Sequence, residues 1–204
     1  MVFIDNLAYS LFSVSFAGFL LFYTVISIYL SYKRKGKNFT DHLNGASVPL
    51  ALIGLYVLVT GIWGQFSWPL PGSYNILFYD PFVSFGIVLL AFSLVIRLKG
   101  RIDYAGFLGL MVGVMVIIYG IEGYGLGLTQ VPLAMLAMYF LYGVAGIFSY
   151  PVSLLLDRFP GVQKKFWKGW YVILVVFLTV LFLASVLAGF IGAVAIPSHL
   201  FRAP

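Results

Sequence analysis

Six long apolar stretches, each of eighteen or more residues and nearly free of charge, follow one another along this 204-residue chain. A bilayer's hydrocarbon core is about 30 Å thick, and about 20 apolar residues cross it as a helix. Lipid offers backbone N–H and C=O groups no partners, so spanning segments must be helices or a closed barrel. Six stretches of helical length therefore predict an all-α integral membrane protein, a six-transmembrane-helix bundle. The charges lie between the stretches. Eleven of the twelve Lys and Arg residues fall into three clusters: Lys33, Arg34, Lys35 and Lys37; Arg97, Lys99 and Arg101; Arg158, Lys164, Lys165 and Lys168. Cytoplasmic loops collect Lys and Arg. The clusters follow the first, third and fifth stretches, which predicts the N-terminus out and the C-terminus out.

Composition agrees. Hydrophobic residues make up 62% of the chain and charged residues 9%, against roughly 25% charged in soluble domains. Lipid must be the solvent, and membrane lipids are the first expected partner. The net charge of +6 sits at helix ends, where anionic headgroups account for it, so no nucleic acid is expected. The absence of cysteine excludes disulfides, iron–sulfur clusters and thiolate metal sites. No basic run precedes the first apolar stretch, which reads as a retained helix rather than a cleaved signal.

The expected organisation is a single transmembrane domain over residues 1–204, with helices at about 7–32, 47–66, 81–98, 103–126, 130–156 and 169–196. Ser47 is placed as the N-cap of the second helix, with Pro49 in its first turn. Asp80 and Pro81 are placed as cap and first residue of the third. Pro197 is expected to stop the sixth. Short loops make consecutive helices antiparallel neighbours. The sequon at Asn38, Phe39 and Thr40 falls in a cytoplasmic loop on this topology and reads as an accidental match.

Few residues carry chemistry. His42 lies in an inner loop and His199 follows the sixth helix, so neither reaches the membrane centre to ligate a haem. Met111 and Met115, like Met135 and Met138, read as core filler. No cofactor and no metal is expected, and no nucleophile–base pair or phosphate-binding loop is present. Of the six acids, Asp5, Asp41, Asp80, Asp103 and Asp157 are placed at helix ends or in loops, and Glu122 alone inside an apolar segment. Nineteen residues beyond Asp103, at about 1.5 Å each, Glu122 stands roughly 28 Å along its helix, near the outer interface. It reads either as a carboxylate facing headgroups, water or a partner, or as a binding group in a vestibule. The half-buried polar set is thin: Thr60, Gln65, Gln130, Ser149, Ser153 and several tyrosines.

Two patterns suggest contact surfaces. Gly106, Gly109, Gly113, Gly120, Gly123 and Gly127 recur at helical spacing and form one bare face of the fourth helix, and Ala184, Ala188 and Gly192 form a shorter one on the sixth. Small residues let helix backbones approach closely in lipid. Such a stripe packs inside the chain or receives a helix from another subunit. The outside segment 67–80 is rich in proline and aromatics and almost uncharged, which predicts an ordered lid at the outer interface. Within it Trp68, Tyr74, Asn75 and Asp80, together with Glu122, are the candidate contacts for a ligand or partner.

Trp63-Gly64 followed by Trp68-Pro69-Leu70-Pro71-Gly72-Ser73-Tyr74-Asn75-Ile76 resembles the family catalogued as domain of unknown function 981, small polytopic membrane proteins of archaea and some bacteria. The resemblance implies a prokaryotic plasma membrane, no established activity and no catalytic residue to carry over. The leading expectation for function is a non-catalytic accessory subunit of a larger membrane protein complex, possibly an energy-converting one, held to other membrane subunits or to itself. The alternatives are a small-solute transporter or channel with Glu122 at its outer mouth, and a lipid- or quinone-binding protein or enzyme.

Overall fold

A computed structural model describes residues 6–33, 39–158 and 168–202. They form six helices: α1 (Asn6–Lys33), α2 (Phe39–Ser67), α3 (Ser73–Arg97), α4 (Asp103–Gly125), α5 (Pro132–Arg158) and α6 (Lys168–Arg202). Each contains a stretch long and apolar enough to cross a membrane, and there is no strand among the described residues. Each helix packs mainly on its neighbours in sequence, and α6 returns to α1, so the six close into a ring. Arg97 and Arg158 end α3 and α5 at the same end of the ring, here the basic end. The rest of the first cluster and most of the third lie outside the described residues, as does Asp5.

Side-chain size decides how the ring is assembled. Three pairs are interlocked by small residues: α2 with α3, α4 with α5, and α6 with α1. Gly86 of α3 lies where a Cβ would stand 2.7 Å from the Leu58 backbone nitrogen of α2, and Gly113 of α4 where one would stand 2.5 Å from the Gly143 carbonyl oxygen of α5. Between α1 and α6, Ala17, Ala184 and Ala188 are fully buried. The opposite faces carry bulky apolar residues such as Leu52, Phe107, Phe140 and Phe190, all exposed. Without a hydrophobic drive between helices in lipid, close backbone approach is what holds such pairs together.

Three helix ends differ from expectation. α2 begins at Phe39, two turns before Ser47. Leu43, Ala46, Leu50 and Val57 continue one apolar face through the predicted loop, and Pro49 sits on the exposed side. The Ser47 hydroxyl donates to the Asn44 carbonyl (2.7 Å) instead of capping. α3 begins at Ser73, two turns before Asp80 and Pro81, so only 68–72 of the aromatic segment is a loop. α6 continues through Pro197 to Arg202. Proline costs a helix one hydrogen bond, and in a membrane bundle neighbouring groups re-satisfy the freed carbonyl.

Candidate functional site

At the end opposite the basic clusters, the turn between α2 and α3 is built around Asn75. Its side chain is 1% exposed. Its Oδ1 accepts the Leu70 backbone N–H (3.1 Å) and its Nδ2 donates to the Gly64 carbonyl (3.1 Å). That stitches the last turn of α2 to the first turn of α3. Trp68 ends α2 at φ 49°, in the left-handed region, and its side chain is exposed. The Tyr74 and Phe78 rings meet at a tilt of 56°, with centroids 4.8 Å apart. Of the expected contacts in this segment, Asn75 is consumed by folding and Trp68 faces outward.

Asp80 sits two turns inside α3 rather than at its cap, half-buried on the side of the helix away from the ring centre. Gln65 of α2 donates to Oδ1 (2.8 Å) and the Tyr119 hydroxyl of α4 donates to Oδ2 (2.8 Å). One carboxylate thus braces three consecutive helices. One turn earlier, the Leu77 carbonyl would bond the N–H of residue 81, which is proline and has none. The Tyr139 hydroxyl of α5 fills that vacancy at 2.5 Å. Glu122 joins neither arrangement. It is exposed on α4 and lines neither interior chamber.

The centre of the ring is hollow. A chamber of about 110 Å³ takes wall residues from all six helices, among them Val25, Leu50, Leu89, Val116, Ala145 and Phe177. A second, of about 80 Å³, lies nearer the opposite end beneath Val14, Phe82 and Met138. Phe85, Val116 and Tyr142 line both, and the Phe85 and Tyr142 rings, 6.1 Å apart, form the partition. No lining residue of either chamber is exposed on the outside of the ring. Three wall hydroxyls turn back to carbonyls of their own helices. Thr24 donates to Leu20 O (2.7 Å), Ser149 to Gly146 O (2.6 Å) and Ser153 to Tyr150 O (2.8 Å). The Tyr142 hydroxyl is buried near Gly18 and Ser185 without a hydrogen-bond partner among the described residues. Apart from Ser10 and Tyr142, the walls present mainly hydrocarbon to whatever fills the space.

At the basic end Asp157 of α5 accepts the backbone N–H groups of Ile102 (3.0 Å) and Asp103 (2.9 Å). It caps the first turn of α4 from another helix, where an anion also meets the helix dipole. Asp103 pairs with Arg101, and this hydrogen bond holds the guanidinium above its ordinary pKa. His42 bridges α2 to Ser31 of α1 at 2.8 Å. The side chain of His199 lies outside the described residues.

The glycine face of α4 divides. Gly106, Gly109, Gly113 and Gly120 face α5, and Gly123 faces Leu77 and Met135. Their partners belong to the same chain, which leaves no room there for a helix from another subunit. Gly127 is not on the face at all. Its φ of 60° and the bond from Leu128 N–H to Gly123 O (3.1 Å) end the helix, a turn that glycine adopts without strain. Among the described residues no group of three or more His, Cys, Asp or Glu is placed to hold a metal.

The family described as "Protein of unknown function (DUF981)" matches residues 1–202 of the chain. Neither the curated proteins nor the solved structures contain a match.

Proposed function

The chain belongs to the DUF981 family, proteins of unknown function, and we propose that it is a membrane-embedded binding protein for an apolar, lipid-like molecule whose chain end or single ring lodges in the central chamber. The observation that supports this is the apolar-walled space at the ring centre to which every helix contributes. A dry apolar cavity of about 150 Å³ takes up benzene or xenon, so the chamber suits one ring or a few methylenes. Its walls carry no acid, histidine or lysine, which favours holding a molecule over transforming it. They also give a permeating ion nothing to replace its water, which weighs against a channel. On the positive-inside rule and the family's distribution, we place the protein in a prokaryotic plasma membrane with its basic end in the cytoplasm.

The test is photolabelling. A palmitate with a terminal diazirine, mixed with the protein in nanodiscs and flashed, should label peptides containing Phe85, Val116 and Tyr142. Ala145→Phe, which fills the chamber, should lose that label, and Leu89→Ala, which enlarges it, should gain label. Labelling confined to the exposed outer faces in all three proteins would refute the proposal.

The accessory-subunit reading keeps one specific support: Glu122, an exposed carboxylate on α4 without a partner in any described hydrogen bond or ion pair. A cationic residue of a second polypeptide would complement it. Native mass analysis of the protein drawn from its own membrane in mild detergent separates the two. Retained polypeptides in fixed ratio support the subunit reading, and a lone chain carrying an apolar small molecule supports the chamber.

A further inference from the structure

We propose that the seam between α3 and α4 is the portal through which an apolar molecule passes between bilayer and chamber, latched by the hydroxyls of Tyr119 and Tyr139. This rests on the chamber reading. The residues that line the two chambers are buried or only partly exposed, so a molecule arriving from the bilayer enters most readily where two helices part.

Three seams are interlocked by small residues, α2–α3 and α4–α5 with backbone against backbone and α6–α1 with serine side chains set against glycines, and among the remaining three the α3–α4 seam is the least extensive. Side chains, not backbones, meet the α4 glycines across it: a Cβ on Gly109 would stand 3.7 Å from Val88 Cγ1, and Leu77 faces Gly123. Its basic end is tethered by the turn at 98–102. There the Gly100 N–H bonds Val95 O (2.9 Å), and Asp157 fastens the start of α4 to α5. The other end has no covalent tie. What crosses the seam there is the pair of tyrosine bonds, Tyr119 to Asp80 (2.8 Å) and Tyr139 to Leu77 O (2.5 Å).

Both donors belong to the α4–α5 hairpin, and both acceptors lie on α3 within four residues before Pro81. That proline interrupts the α3 hydrogen-bond ladder at the latch, where a helix bends most easily. Gln65 holds the other Asp80 oxygen (2.8 Å) and so ties the latch to α2. The α2–α3 hairpin can therefore swing as a unit from the α4–α5 hairpin about the basic-end turn, opening a wedge towards both chambers.

The cysteine-free chain allows a direct test. Ser84 Oγ and Met115 Sδ stand 3.9 Å apart across the seam, and neither lines a chamber. In the Ser84→Cys/Met115→Cys protein, a short bis-methanethiosulfonate bridge locks the seam and dithiothreitol releases it. In nanodiscs, the diazirine palmitate should label the Phe85 and Tyr142 peptides at least tenfold more slowly in the bridged protein, with the rate restored by reductant. Tyr119→Phe in the cysteine-free chain should load about threefold faster, the factor for one interhelical hydrogen bond in a membrane. Equal loading rates for bridged and released protein would overturn the portal while leaving the chamber reading intact. Absence of chamber label in both forms would overturn the two together.

Discussion

Gly113→Ala adds one methyl group where a glycine of the ring comes closest to another helix's backbone. Its Cβ would stand 2.5 Å from the Gly143 carbonyl oxygen, 2.8 Å from the Ile147 nitrogen and 3.0 Å from the Gly146 carbonyl carbon. All three are backbone atoms, so no side chain can turn aside. Reaching ordinary contact near 3.5 Å requires α4 and α5 to part by about 1 Å, and a gap of that size forfeits a quarter to a half of each dispersion contact beside it. Overpacking of this kind costs about 1–3 kcal/mol. Alanine returns up to about 1 kcal/mol of helix propensity over glycine. The control is Gly45→Ala in α2, where nothing lies within 4 Å and only the propensity gain applies. Unfolding in mixed detergent micelles against SDS mole fraction, followed by far-UV circular dichroism, should place Gly113→Ala about 2 kcal/mol below Gly45→Ala. Gly113→Leu should fail to accumulate folded. Equal stability of the two alanine variants would refute the α4–α5 register. A folded Gly113→Leu that sheds another polypeptide would return the glycine face to an intersubunit role.

The other predictions concern the two ends of the ring. Asn75→Ala leaves the Leu70 N–H without its acceptor and removes a donor to Gly64 O; stability should fall by about 1–3 kcal/mol, and protease added to nanodiscs should cut within 68–72 sooner. Asp157→Ala uncaps α4, which costs about 1 kcal/mol, and amide exchange should accelerate at Ile102 and Asp103 before it does elsewhere in α4. Trp68→Gly relieves a left-handed residue at φ 49° and should raise stability by about 1 kcal/mol in the same SDS titration.

The helices were legible because hydrocarbon thickness and the scarcity of charge act on every residue of a stretch at once. The starts of α2 and α3 were not, because each depends on a contact that local sequence does not display. Asp80-Pro81 has the form of a helix start. It became a mid-helix pair because Tyr139, 58 positions beyond Pro81 in the sequence, supplies the hydrogen bond that the proline removes. Asn75 looked like a ligand contact for the same reason: a polar side chain in an aromatic loop gives no sign that two backbone groups of a neighbouring turn will consume it. The glycine spacing on α4 revealed a packing face but not its partner, since a bare face fits any helix. Only Gly127 carried a separate signal, its position just before Leu128-Thr129-Gln130, where the apolar run ends.

The distribution of small and polar residues separates what is rigid in this ring from what can move. Glycine, alanine and serine are concentrated where α2 meets α3, α4 meets α5, and α6 meets α1, and at the first two the contacts engage backbone atoms that cannot yield. A hairpin held this way moves as one body. Motion is left to the seams between hairpins, where side chains slide and a few hydrogen bonds decide the resting position. At α3–α4 those bonds gather at the end away from the turn, with Asp80 receiving from both sides. A half-buried carboxyl group in a spanning helix is expensive without partners, and the two donors to Asp80, Gln65 and Tyr119, belong to different hairpins. Parting the seam therefore strips Asp80 of one partner while leaving the other in place. The carboxylate sets a restoring force on the seam without being part of the chamber, which is why its substitution should alter how fast the chamber fills more than what fills it.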